Sequence, residues 1–295
     1  MSVASAPGKL VLCGEYAVLD GHAAVVAAVD VRARAQAASA ASAPLVAAVC
    51  AAARAHGLTV TADLVVDTGA FNAGGRKLGL GSSAAAAAAA AALVVHQARG
   101  ALDVDLVWVI ARDAHRAFQG GGSGIDVAAA CFGGLVRFTT RDRPAPAPPL
   151  PGALELVVVD TGSSTSTQGF VDRVLGLPGR ASLLAPLAHA ALAFQDACAA
   201  DDADLLLAAV EQACGGMGEL GRAAGLDIVS APHAHIASLA SRHGGAAKPS
   251  GAGGGDVAIA FVPRERRASL VAALAHEGLP VVPVHVDERG VMIED

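Results

Sequence analysis

The stretch Gly79-Leu-Gly-Ser-Ser-Ala-Ala, continuing through alanines to Leu93-Val94-Val95, limits what the rest of the chain can build. Glycines let the backbone turn sharply and approach a ligand closely, and Ser82 or Ser83 is placed to cap the helix that follows. The start of that helix would present free N–H groups and the positive end of its dipole. That is the physics of a phosphate cradle. The same residues also read as a capped alanine helix with no ligand, so the other glycine-rich stretches must decide.

A chain of 295 residues suits one large domain or two ordinary ones, and its 54% hydrophobic content is globular. Only 3% is aromatic and much of the apolar content is alanine, so the core must rest on Val, Leu and close backbone packing. A net charge of -6 with scattered arginines leaves no basic stripe for nucleic acid. Five cysteines, odd in number and without CxxC spacing, predict reduced, mostly buried thiols and neither a disulfide framework nor a zinc site. No secretory pattern is read at the N-terminus, and the apolar run Ala84 to Val95 is well short of the ~20 residues of a membrane span. A cytoplasmic protein with no membrane partner is expected. Its three lysines, against 18 arginines, each lie beside or within a glycine-containing motif: Lys9, Lys77 and Lys248. They mark sites that need a compact, flexible ammonium.

In chain order, a strand is expected over 9–13, then a Gly-Glu turn. Val29, Val31, Ala33 and Ala35 alternate with Asp30, Arg32, Arg34 and Gln36, the period of a strand with one wet face. A helix over 44–56 opens with Pro44, a strand follows over 58–66, and 67–79 is a polar loop carrying Lys77. Asp103 caps a helix to about Phe118, and the second glycine loop, 119–126, opens a short helix over 126–131. A strand over 135–139 leads to the proline-dense segment 141–152, an exposed connection between two parts of the fold. Beyond it come a strand over 154–160, a hydroxyl-rich turn over 161–167 and helices near 181–199, 202–224 and 232–243. The third glycine loop, 246–256, precedes a strand over 257–262, a helix over 265–276 and a last strand over 281–286. The pattern predicts an α+β chain in two lobes with a cleft between them.

The chain has no Walker-type glycine-lysine loop. Gly79-x-Gly81-x-x-Ala84 does match a loose dinucleotide fingerprint, with Asp103 and Asp105 about twenty residues on. A Rossmann unit wants a buried strand running into the glycines, whereas 67–77 is polar, so an NAD(P)-dependent oxidoreductase is the distant alternative. Phosphoryl transfer fits better, because it asks for positioning and charge neutralisation. A cradle, hydroxyls for magnesium, the carboxylate of Asp126 at a helix start and lysines are all present.

Three motifs taken together resemble those of the GHMP small-molecule kinases: Pro7-Gly-Lys9 with Gly14-Glu15, Gly79-Leu-Gly-Ser-Ser-Ala-Ala, and Ser250-Gly-Ala-Gly-Gly-Gly-Asp256. The resemblance covers nearly the whole chain. It implies an N-terminal, ATP-binding lobe like domain 2 of ribosomal protein S5, residues 1–150, with a left-handed βαβ crossover. It also implies a ferredoxin-like C-terminal lobe, residues 151–295, with ATP and magnesium bound between the two. Small-molecule substrates are its implied partners, with a monomer or homodimer as its state. Within the family the chain looks most like the phosphomevalonate kinases, with mevalonate kinase or another GHMP kinase as the alternative. Four features carry this: Tyr16, where mevalonate kinases have His; Ala114-His-Arg-Ala-Phe-Gln-Gly leading to Gly122-Ser-Gly-Ile-Asp126; Thr161-Gly with hydroxyls up to Thr167; and Ala223-Ala-Gly-Leu before the Lys248 loop. His115 stands where mevalonate kinases place a magnesium-binding Glu, eleven residues before Asp126.

The resemblance assigns Lys9 and Asp126 to catalysis: Lys9 offsets charge between the phosphates, and Asp126 orients Lys9 or the acceptor. It assigns Lys77, Gly79, Leu80, Gly81, Ser82, Ser83 and Ala84 to ATP, with Ser83 also on magnesium. Lys9, Glu15, Tyr16, Ser123, Gly124, Ser166, Ser250, Gly251 and Ala252 fall to the acceptor, the last three as a phosphate nest.

Overall fold

The alternation read near Val29 extends into a long strand buried on both faces at its first half. In the computed structural model, which describes residues 2–38, 43–164 and 167–294, β1 (Val3–Cys13) and β2 (Ala24–Ala38) pair antiparallel. Val11, Ala24, Val26 and Ala28 point into one core, while Leu10, Leu12, Val25, Ala27 and Val29 point into another. The two-residue period of a strand sorts them this way.

The first core is helical. After α1 (Pro44–Ala55), β3 (Asp63–Asp67) and a hairpin of β4 (Asn72–Ala73) and β5 (Arg76–Lys77) comes α2 (Ser82–Arg99). Then follow α3 (Val104–Gln119) and α4 (Ile125–Phe132). Residues Ala84 to Val95 of α2 are buried on every side, against β1, β2, α1, α3 and α4. A helix that is apolar all round belongs inside, and methyl-sized side chains let five elements approach its backbone. β6 (Leu135–Phe138), β7 (Ala145–Pro146) and the C-terminal β12 (Met292–Glu294) complete a sheet ordered β12-β1-β2-β6-β7, with β3 on β2. The proline-dense segment therefore contributes a short edge strand, where a missing N–H costs least.

The second sheet, ordered β11-β8-β10-β9, consists of β8 (Leu154–Asp160), β9 (Ala246–Pro249), β10 (Val257–Pro263) and β11 (Val281–Val282). Between β8 and β9 run α5 (Thr167–Leu175), α6 (Arg180–Ala200), α7 (Ala203–Ala224) and α8 (Ala231–Arg242). After β10 comes α9 (Arg267–His276). Phe194 of α6 meets Phe261 of β10 edge to face, with ring centroids 5.8 Å apart, in the core shared with Leu10 and Leu12. On the opposite face of this sheet, Val157, Val159, Ala258 and Ala260 pack against α8 and α9. α6 is long and apolar enough by composition to cross a membrane, but Leu187, Ala191 and Phe194 are spent on the protein core.

Several expectations need correction: β1 begins at Val3 and not at residue 9, β3 begins at Asp63 and not at residue 58, and the loop 67–79 carries the β4–β5 hairpin. The last strand stops at Val282; Val286 bridges to Val29, and the chain ends on β12 (Met292–Glu294), which pairs with β1. The helix α5 was not foreseen beyond the hydroxyl-rich turn. Neither serine caps α2: Gly81, at φ 78°, holds the cap position, so Ser82 and Ser83 are the first two helical residues. The cysteines conform to expectation, with Cys13, Cys50, Cys131 and Cys198 buried and Cys214 half-buried. Burial pushes the Cys13 thiol up to about 12.

Candidate active site

Lys9 is positioned by its own backbone. Its N–H donates to the Leu80 carbonyl at 2.8 Å, which fastens the Gly79–Gly81 loop onto β1. A Cβ on Gly8 would lie 2.7 Å from that carbonyl, and one on Gly81 would lie 2.7 Å from the Lys9 Cγ. Both glycines are required by close approach. The Lys9 ammonium then sits 3.4 Å from the Gly79 carbonyl and 3.9 Å from Asp126 Oδ1, with 9% of its side chain exposed. At that separation the Lys9–Asp126 contact is electrostatic. Asp126 lies in the first turn of α4, where a carboxylate suits the dipole, and Ser123 Oγ accepts from the Ile125 N–H at 3.3 Å.

The N-terminus of α2 opens beside this lysine. Ser83 Oγ lies 3.0 Å from His115 Nε2 and accepts from the Gln119 amide at 3.2 Å, so two side chains of α3 fix it. Burial lowers the His115 pKa, against a smaller opposing pull from Asp126, and favours the neutral imidazole. Lys77 reaches the same space from the β4–β5 hairpin. The preceding residue anchors that hairpin: Arg76 pairs with Asp160 at 2.5 Å and donates to the Ser163 carbonyl at 3.2 Å.

The third glycine loop closes the opposite wall. Ser250 Oγ donates to the Val11 carbonyl at 3.1 Å, the Tyr16 hydroxyl donates to the Ala252 carbonyl, and Lys248 is paired with Glu15. Together these walls enclose a cavity of about 730 Å³. Lys9, Glu15, Tyr16, Lys77, Gly79, Gly81, Ser82, Ser83, Ser123, Gly124, Asp126, Ser250, Gly251 and Ala252 all line it. Leu80 and Ala84 are buried beneath the loop and do not line the cavity. Ser166 lies outside the described residues. Glu15 and Tyr16 line the wall but spend their polar contacts on the protein itself.

Sequence reasoning gave no role to Gln119, Arg76 or Asp160, and none to Lys248 beyond its scarcity. Its scarcity and its place in the third glycine loop pointed to Lys248, Gln119 stood in the 114–120 motif without a role, and no local pattern marked Arg76 or Asp160. Among the described residues no group of three or more His, Cys, Asp or Glu could hold a metal by itself. Magnesium does not need one, since it is held by one or two protein oxygens together with substrate phosphates. Ser83 and Asp126 are oxygens of that kind on this wall. The glycine loop is not a Rossmann turn either: it follows a two-stranded antiparallel hairpin, and every strand pair among the described residues is antiparallel.

Residues 75–134, which hold the β5–α2 cradle and Asp126, match the family model described as GHMP kinases N terminal domain. A comparison with curated proteins finds no match. Among solved structures, the Lin0012 protein of Listeria innocua superposes with a TM-score of 0.89 at 22% identity over 100% of both chains. Phosphomevalonate kinase of Streptococcus pneumoniae, in complex with phosphomevalonate and AMPPNP, gives 0.85 at 20% identity, covering 97% of this chain and 100% of that one. Mevalonate kinase of Methanococcus jannaschii gives 0.75 at 16% identity, covering 96% and 98%. At these identities the solved structures show the fold alone, which this chain shares with GHMP kinases, and the family model speaks for the segment that carries the first glycine loop and Asp126.

Proposed function

We propose that the chain is a cytoplasmic ATP-dependent phosphomevalonate kinase, acting as a monomer or homodimer and converting 5-phosphomevalonate to 5-diphosphomevalonate. The observation that carries this is the convergence of Lys9, the Gly79–Ser83 loop and the Ser250–Ala252 loop on one cavity. In this reading residues 1–150 supply the ATP site and residues 151–295 supply the acceptor loop. Superposition on the Streptococcus pneumoniae phosphomevalonate kinase, whose structure holds phosphomevalonate and AMPPNP, supports it.

The chemistry asks little of a base. A phosphate monoester with a second pKa of ~6 is already ionised at neutral pH, so its oxygen can attack the γ-phosphorus directly. A P–O bond forms to the acceptor, the bond to the β,γ-bridging oxygen breaks, and ADP leaves. The obstacle is repulsion between two anions, which Lys9, the N–H groups opening α2 and Lys77 offset. Asp126 holds the Lys9 ammonium by charge. Ser83, oriented by His115 and Gln119, would join Asp126 in holding magnesium, which supplies further neutralisation of the phosphates.

Phosphorylation of mevalonate itself is the second reading, and Asp126 is the observation behind it. A hydroxyl acceptor must lose a proton, and Asp126 stands in the cavity beside Lys9 with 33% of its side chain exposed. A coupled ADP-release assay with mevalonate, phosphomevalonate, homoserine and galactose separates these readings. Turnover with phosphomevalonate is expected; strong turnover with mevalonate alone would sink the proposal.

A further inference from the structure

The turn Gly14-Glu15-Tyr16 is built at a cost. Gly14 has φ 98° and Tyr16 has φ 61°, a region that side-chain-bearing residues adopt rarely. Such strain persists only where surrounding contacts over-determine it. Here the contacts lead to one place. The Tyr16 ring is buried with Leu184, Leu187, Met217 and Leu220, and its hydroxyl donates to the Ala252 carbonyl. The Glu15 carboxylate receives the Lys248 ammonium, and its Oε1 lies 3.4 Å from the Gly251 N–H. Lys248 is fully buried and donates its second bond to the Pro249 carbonyl at 2.8 Å.

A buried ion pair contributes little net stability, because desolvation offsets the attraction. This one leaves Glu15 Oε2 buried with no hydrogen-bond partner among the described residues. Its position is the informative part. It ties the root of the third glycine loop to the end of β1, and the tyrosine ties the crest. Gly251 passes so close to Lys9 that a Cβ there would lie 3.6 Å from the ammonium. The two ties therefore set the height of the loop's N–H groups over the Lys9 ammonium.

We propose that Tyr16, Glu15 and Lys248 are positioning residues that strap the Ser250–Ala252 loop over Lys9, so that the acceptor's anionic group meets a preset nest. This rests on the reading of that loop as the acceptor site. It moves Tyr16 and Glu15 from touching substrate to holding what touches it, and it gives Lys248 a role.

Tyr16→Phe tests it, since it removes one hydroxyl and keeps the packed ring. Losing one net hydrogen bond is expected to raise the acceptor KM about tenfold while the ATP KM stays within about twofold. Amide exchange in peptides spanning 250–255, measured without any acceptor, should accelerate by a similar factor. A double variant, Glu15→Gln with Lys248→Met, removes both charges together and so avoids stranding one. It should fold and show the same two changes. Unchanged exchange over 250–255 in both variants overturns the strap whatever the enzyme phosphorylates. Faster exchange with equal rises in both KM values overturns its link to the acceptor. If the wild type ignores phosphomevalonate, the functional reading falls, and the exchange arm still decides the strap; the kinetic arm then uses the acceptor the substrate panel identifies.

Discussion

Lys9 carries the account at the scale of single residues. Its stem lies under Gly81, its N–H holds Leu80, and its ammonium faces Asp126 and Gly251 of the third glycine loop. A group that offsets charge in the transition state should matter more to turnover than to binding. Lys9→Ala is therefore expected to lower kcat by about 10²–10³, the loss typical of removing one such donor. Calorimetric affinity for Mg-ATP should change by no more than a few-fold. Equal losses in both would make Lys9 a binding residue. His233 gives a second residue-scale prediction, on stability. It is 1% exposed under the third glycine loop, bonded to Ser230 Oγ at 2.8 Å, and burial lowers its pKa from 6.5 to about 4. The unfolded chain binds this proton below pH 6.5 and the folded chain only below about 4, so folding favours the neutral ring. Its contribution is whole above pH 6.5, is lost as pH falls toward about 4, and amounts to about 3 kcal/mol. Urea midpoints should fall over that window in the wild type and fall less in His233→Asn. Parallel curves would contradict the assignment.

Elements explain what the chain's patterns could and could not foretell. The boundaries of α3, β8 and α7 were legible because each carries its own signal, Asp103 and Asp202 at the two helix starts and the apolar run Leu156 to Val159 in the strand, whereas the alanine run showed that α2 is a helix but not that it ends at Arg99. The cap at α2 was misread because a left-handed Gly81 replaces the serine, which frees Ser83 to meet His115 and Gln119. The fate of Val286 was hidden because its partner is Val29, far away in sequence, and no local period encodes such a bridge. The Arg76–Asp160 and Glu15–Lys248 pairs were hidden for the same reason. Gly81 allows a test at this scale. Gly81→Ala adds the left-handed penalty of ~1–2 kcal/mol and also presses on the Lys9 stem. Gly100→Ala, at φ 71° with nothing within 4 Å of its Cβ, adds only the penalty. Gly81→Ala should lower Tm at least as much as Gly100→Ala, and only Gly81→Ala should cost an order of magnitude or more in kcat. Equal activity in the two variants would show that the loop does not position Lys9.

At the scale of the whole molecule, neither sheet holds the site alone. The first glycine loop comes from the chain before residue 100, the third leaves the edge of the second sheet, and α6 and α7 help fill the apolar core between the sheets. Residues far apart in sequence therefore meet at one cavity, and the three glycine loops legible in the sequence are three of its walls. What the glycine motifs alone leave open is the acceptor. The same fold is shared by a phosphomevalonate kinase and a mevalonate kinase, so substrate choice must sit in side chains and not in topology. Phosphorus NMR of the purified chain with Mg-ATP and phosphomevalonate tests the central claim most directly. The account predicts loss of the ATP γ signal with growth of ADP and of a coupled pair of resonances from a new diphosphate monoester. An unchanged phosphomevalonate signal, in a preparation that converts mevalonate to its phosphomonoester, would contradict it.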